Sequence, residues 1–176
     1  MSCILDGGYA LGCKDQTGGI KEVYIKVYDS SDKFEEGATE GVIDTATDSA
    51  DSALTYFKFE QRNEQAEFTQ TGNHSVENGT NFWTQAVNLV FSKNDVDNRN
   101  TLKVLALARL SVIVLDQNGT YWLVGESNGV DLIASTSGAG KAYGDLSGST
   151  ITLEGKEKAP ASQLSETAFN SLTISA

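Results

Sequence analysis

The chain has 176 residues, 39% of them hydrophobic, and a net charge of −11 with a single histidine. That is the size of one domain with a core of its own. The charge excludes groove binding to nucleic acid, because such a field repels phosphate. No apolar run approaches the ~18 residues of a membrane-spanning helix. The opening MSCILDGGYALGCK lacks the basic start and long apolar run of a secretory leader, so synthesis in a cytosol and no membrane partner are expected.

Residues 1–20 read as an N-terminal arm. It contains Cys3 and Cys13, expected as small buried or half-buried side chains; with one distant histidine they make no zinc set. KEVYIKVYD (21–29) alternates, with Val23, Ile25 and Val27 on one face of a half-buried strand. Residues 29–53 read as a long inter-strand loop rich in small and acidic residues, with one short strand near Val42–Thr45. LTYFKFEQRNEQAEFTQTG (54–72) reads as a hairpin turning at RNEQ, with Phe57 and Phe59 opposite Tyr56, Lys58, Glu60 and Arg62. A second long loop, 63–80, overlaps its end. TNFWTQAVNLVFSK (80–93) reads as a long strand with Val87, Leu89 and Phe91 inward and Thr84, Ala86, Asn88, Val90 and Ser92 on a more polar face.

A helix is predicted over 96–109, capped by Asp95 or Asp97, with Leu102, Leu105, Ala106 and Arg109 along one face. LSVIVLD, QNG and TYWLVGE form a hairpin. STSGAGKAYGD (135–145) departs from a phosphate-binding loop: Ser135 stands in place of the first Gly, Ala142 in place of the hydroxyl, and β pattern rather than helix follows. It reads as a mobile connection into the strand STITLEGKE (149–157). FNSLTIS near the end reads as one more strand. The expected class is mainly β, a sandwich or barrel with one flanking helix, in a single domain spanning 1–176.

Residues 29–67 hold eleven acids against three bases, a solvated acidic face. Catalytic signals are absent: His74 sits in a polar turn-like run, no G-x-S-x-G occurs, and DSSDKFEEG lacks the ligand alternation of a calcium loop. The chain is therefore expected not to be an enzyme and to carry no catalytic residue, cofactor or metal. The sequons at Asn73, Asn78 and Asn118 matter only in a secreted eukaryotic protein. Trp83, Trp122 and Tyr143 are the aromatics that a carbohydrate-binding sandwich would expose, although Trp122, beside Leu123 and Val124, is expected in a core.

Two stretches carry a resemblance. CKDQTGGIKEVYI (13–25) is similar to an opening in virion proteins of phages infecting Bacteroidetes-type bacteria. Residues 102–161 resemble the second half of a tail-tube-like structural protein of such phages, through Asp116, Asn118 and Gly119; Leu123, Gly125, Asn128 and Gly129; Gly144, Asp145 and Gly148; and Glu157, Pro160 and Ala161. The resemblance implies a virion protein of the tail, built as a β-sandwich with a flanking helix. It implies homo-hexameric rings stacked into a tube that carries DNA without binding it specifically, with other tail or neck proteins as further partners. A capsid decoration or neck ring protein is the alternative within the same class. On that reading Lys58, Glu60, Arg62, Glu64 and Glu67 are candidates to face the lumen. Asn73, His74, Glu77, Asn78 and Lys141 are candidates for loops that clamp a neighbouring subunit.

Overall fold

A computed structural model describes residues 8–10 and 12–175; Cys3 lies outside them. Twelve strands and two helices follow in chain order: β1 Ile20–Val27, β2 Lys33–Glu36, β3 Val42–Thr47, β4 Thr55–Glu60, β5 Glu67–Ser75, β6 Thr80–Phe91, α1 Val96–Leu107, β7 Leu110–Asp116, β8 Tyr121–Val124, β9 Asp131–Gly138, β10 Gly148–Glu157, β11 Ser162–Leu164, α2 Glu166–Asn170 and β12 Thr173–Ser175. The fold is mainly β. An eight-stranded sheet, ordered β12-β4-β1-β7-β8-β11-β3-β2, curls without closing, and a four-stranded sheet, β5-β6-β10-β9, packs on it.

The large sheet is the middle layer. Val23, Ile25, Val112, Val114 and Val124 pack with Val87, Leu89, Ile151 and Leu153 of the small sheet, and Leu105 of α1 joins them. The other face of the same strands lines the inside of the curl. There Tyr24, Tyr56, Ile113, Leu115 and Leu123 meet Ile43, Ala46, Leu164 and Ala168. This explains LSVIVLD, whose first six residues are all buried. A strand covered on both faces reads as a continuous apolar run.

The helix starts where expected. The Asp95 side chain accepts from Asn98 N–H at 2.9 Å, satisfying one of the open donors of the first turn. Only Leu105 is buried; Ala106 is exposed, and Arg109 lies beyond the helix and is exposed. The second, short helix was not expected. Ser165 caps α2, its Oγ accepting from Ala168 N–H. Phe169 stacks on Tyr121 with ring centroids 4.0 Å apart and meets Tyr24 edge-on at 5.1 Å. The tail thus ties the curl together. β11 sits between β8 and β3, α2 packs inside, and β12 pairs with β4 near the other edge.

Several sequence expectations are corrected. The stretch 54–72 is not a hairpin. The turn exists, with Gln65 N–H donating to Arg62 O at 3.3 Å. It carries the chain from β4 in the large sheet to β5 in the small one, because Ala66 and Phe68 face the core between the sheets. The supposed loop 29–53 contains the hairpin β2–β3, and 63–80 is largely β5 and its turn into β6. Their polar residues hid strands that are wet on one or both faces. Val27 is 54% exposed while Tyr24 is buried, so the apolar alternation of β1 stops one residue pair early. Cys13 is exposed, not buried.

The two-sided burial is testable by thermal or denaturant unfolding. Ile113→Ala should cost about 2–5 kcal/mol, whereas Val27→Ala should stay within about 0.5 kcal/mol. Equal effects would contradict the layer order.

Candidate assembly surface

The small sheet presents its second face to the outside. Along β6, Val87 and Leu89 point to the core and Thr84, Ala86, Asn88 and Val90 point outward. Register extends that outer face across the sheet, with Glu67, Asn88, Thr152 and Ala134 in one row and Thr71, Thr84 and Lys156 in another. Short polar side chains bond across it. Asn73 Nδ2 donates to Thr84 Oγ1 at 3.0 Å, Asn88 Nδ2 to Glu67 Oε2 at 3.2 Å, and Thr152 Oγ1 to Asn88 Oδ1 at 2.8 Å. Lys156 lies over the Phe82 ring, 5.9 Å from its centroid.

Neither edge strand of this sheet, β5 or β9, pairs with a further strand among the described residues, and α1 lies near β9. β5 spans nine residues and its only charge is Glu67; β9 spans eight and its only charge is Asp131. Neither strand contains lysine or proline, the usual guards of an edge. β9 carries one irregularity at Ile133, which falls between the paired Leu132 and Ala134 and is 57% exposed.

The candidate inter-subunit residues are not in a loose loop. Asn73 and His74 lie on β5, and Glu77 and Asn78 in its turn into β6. His74 donates through its Nδ1–H to Asn81 Oδ1 at 2.8 Å and meets the Trp83 ring edge-on at 5.8 Å. Gly72 leaves that room: a Cβ there would stand 2.6 Å from His74 Nε2. Lys141 sits on the exposed β9–β10 connection.

That connection settles the question of the glycine-rich stretch. Residues 135–138 belong to β9 and pair with β10. The backbone N–H groups of Lys141 and Ala142 both donate to Asp145 Oδ2 at 2.8 Å. The donors that would cradle a phosphate are already bonded. The same bonds, Ala142 first, hold the Asp145 carboxyl below its usual range.

The candidate lumen residues are spread over both sheets. Lys58 and Glu60 lie on β4 in the large sheet, where Lys58 Nζ pairs with Glu22 at 3.0 Å and Glu60 at 3.5 Å. The Tyr24 hydroxyl donates to Glu22 Oε2; that bond, followed by Lys58, holds the Glu22 carboxyl below the usual value. Arg62 and Glu64 sit in the crossing between sheets. Glu67 alone lies on the outer face of the small sheet.

The residues of the resemblance converge on backbone clamps. Glu157 is 6% exposed. Its Oε1 accepts from Ser127 N–H at 3.0 Å and Asn128 N–H at 2.7 Å, and its Oε2 from Asn128 Nδ2 at 3.2 Å. Gly125 has φ +75°, and a Cβ on it would lie 2.8 Å from the Gly129 carbonyl carbon, so the turn closes only without a side chain there. Buried Gln85 spans the gap to the tail, accepting from Gly125 N–H at 3.1 Å and donating to Ala159 O at 3.3 Å. Asp116 likewise accepts from Asn118 N–H, Thr120 N–H and the Trp122 indole. Sequence reasoning missed Gln85, because one glutamine on a strand carries no pattern until its partners are placed.

Two of the three aromatics offered for sugar stacking are engaged in packing. Trp122 lies against the core, 6.3 Å from Phe68 between ring centroids, and Trp83 packs on His74. Tyr143 is exposed. Among the described residues no group of three His, Cys, Asp or Glu is placed to hold a metal, and no helix is long and apolar enough to cross a membrane. Compared with known proteins, the chain matches no family model, no curated protein and no solved structure at a significant level.

Burial pushes the Glu157 carboxyl above the usual carboxylate range, more than the Asn128 and Ser127 N–H bonds lower it. A raised carboxyl favours the protonated folded state. Its ionisation therefore costs stability as pH rises from about the unfolded value through the raised one. The unfolding free energy of Glu157→Gln, measured against wild type from pH 4 to 8, should improve relative to wild type as pH rises. A difference that is flat in pH would remove this assignment.

Proposed function

We propose that this chain is a structural subunit of a phage tail tube. Copies join edge to edge through the small sheet into hexameric rings, and the rings stack into a channel for DNA. The observation that carries the reading is the pair of unguarded edges. All pairings in the small sheet are antiparallel, so its two edge strands, β5 and β9, run in opposite directions. β9 of one copy laid beside β5 of the next continues the same antiparallel ladder. Repeated head to tail, such a contact closes into a ring and leaves no edge exposed.

The outer face of the small sheet then lines the channel. It is wet, built from threonine and asparagine, and carries Glu67, Asp131 and Glu154 against Lys156. Small polar groups with a negative excess let DNA pass without holding its phosphates. The polar face read on 80–93 belongs to this surface. Of the residues expected to face the lumen, Lys58 and Glu60 belong to the large sheet and in this arrangement lie away from the channel. The role is structural rather than catalytic, in keeping with buried polar side chains that are occupied by backbone donors.

Electron microscopy of the concentrated protein tests the assembly: rings or tubes are expected, and isolated monomers at every concentration would falsify it. For the channel face, tubes carrying Glu67→Lys and Glu154→Lys should retain DNA at low salt and release it as salt rises, whereas wild-type tubes retain none. Variant tubes that ignore DNA would place this face outside the channel.

A further inference from the structure

A second surface has the charge to recognise part of the same chain. A cleft of about 580 Å³ opens where the end of β4, the end of β6 and the start of α1 meet, lined among others by Lys58, Glu60, Gln61, Arg62, Lys93 and Asn98. Lys58 is held by Glu22 and Glu60, but no carboxylate among the described residues lies within ion-pair distance of Arg62 or Lys93. Beside them Gln61 accepts from Val90 N–H at 3.0 Å through its oxygen, and its buried Nε2 has no partner. The cleft therefore offers two cations without ion-pair partners in a molecule whose net charge is strongly negative.

The complementary element is β2–β3. Residues 33–51 hold six acids and one lysine, and that lysine is neutralised within the hairpin by Asp51 at 2.7 Å. Glu35, Glu36, Glu40 and Asp44 are exposed. β2 is the last strand at one edge of the large sheet, whereas β4 stands next to the opposite edge. No ion pair among the described residues joins the hairpin to the cleft of its own chain.

We propose that the Arg62–Lys93 cleft is a carboxylate-binding site that receives the acidic β2–β3 hairpin of a second copy of this chain. The inference rests on the self-assembly reading and adds to it a contact separate from the sheet edges. Charge orders the two copies: the hairpin is repelled by the acidic remainder of its neighbour and attracted at this cleft. Asn98 at the start of α1 adds a side-chain amide beside the two cations; its Nδ2 donates one hydrogen to Lys93 O at 3.0 Å and keeps the other for a carboxylate oxygen.

Charge reversal with mixing tests it. One full-length variant carries Arg62→Glu and Lys93→Glu, the other Glu35→Lys and Glu36→Lys. All four residues are surface positions away from the cores, so folding should survive, as circular dichroism would verify; Arg62→Gln with Lys93→Gln is the milder pair. Sedimentation should show each variant alone associating about tenfold or more weakly than wild type. An equimolar mixture should recover association, because every unlike contact in an alternating series is again attractive. Wild-type association should also weaken as salt rises from about 0.05 M to about 0.5 M. Variants that associate like wild type overturn the contact. So do a mixture no stronger than its components and a wild-type chain that stays monomeric at about 1 mM. Recovery on mixing reads this contact between two chains without any ring. Its presence without rings would count against the tube alone, and rings indifferent to these charges would count against the cleft alone.

Discussion

The whole molecule depends on one constraint: β1 and β7 are buried on both faces. Val23, Ile25, Val112 and Val114 need the small sheet above them, and Tyr24, Ile113 and Leu115 need a cover below. The small sheet meets the first need. The second is met by curling the large sheet around α2, which brings β3 and the tail against the same core. Burying a large apolar side chain is worth about 1.5–3 kcal/mol, so leaving either face open would expose several such terms at once. The curl explains why a short C-terminal segment, with Leu164, Ala168 and Leu172 buried, is fitted between distant strands.

Polar groups hold this arrangement at the places where the chain must turn. Tyr56 and Ser111 share a hydrogen bond of 3.0 Å inside the curl, and Lys26 pairs with largely buried Asp32 at the base of the β2–β3 hairpin. Glu157, Gln85, Asp116 and Asp145 each accept backbone N–H groups that a turn would otherwise leave open. Side chains that look chemically able in the sequence are therefore committed to shape. The parts left uncommitted are surfaces: two unpaired sheet edges, a threonine-rich outer face, and a cleft with two unpaired cations remote from an acidic hairpin. These surfaces, rather than any side-chain cluster, are what the proposed self-assembly would use.

Much of the fold was legible in the sequence because local signals need few assumptions. Asp95 and the composition after it gave α1; LSVIVLD, QNG and YWLV gave β7, its turn and β8; alternation gave β6 with its inner and outer faces. The wet outer face of β6, the part of the proposed channel read most directly, was visible for the same reason. Hidden were β2 and β9, since strands of polar and small residues at sheet edges show no apolar period; β3 was read only as a short strand near Val42–Thr45, and β5 as the return of a hairpin it does not form. Hidden too was α2, whose five residues are too few for a helical period.

The sequence by itself determined that the protein is a mainly β, acidic domain with one substantial helix. Period and turn chemistry act within a few residues, and composition acts without any geometry. Only the tertiary structure decided which strands share a sheet. The turn at 62–65 reads the same whether β5 returns beside β4 or crosses to the other layer, and the choice falls to Ala66 and Phe68 finding the core between the sheets. That choice separated Lys58 and Glu60 from Glu67, left β5 and β9 as free edges, and brought Arg62 and Lys93, thirty-one positions apart in the chain, to one cleft. Pairing across such distances is set by packing in three dimensions, which no local pattern records.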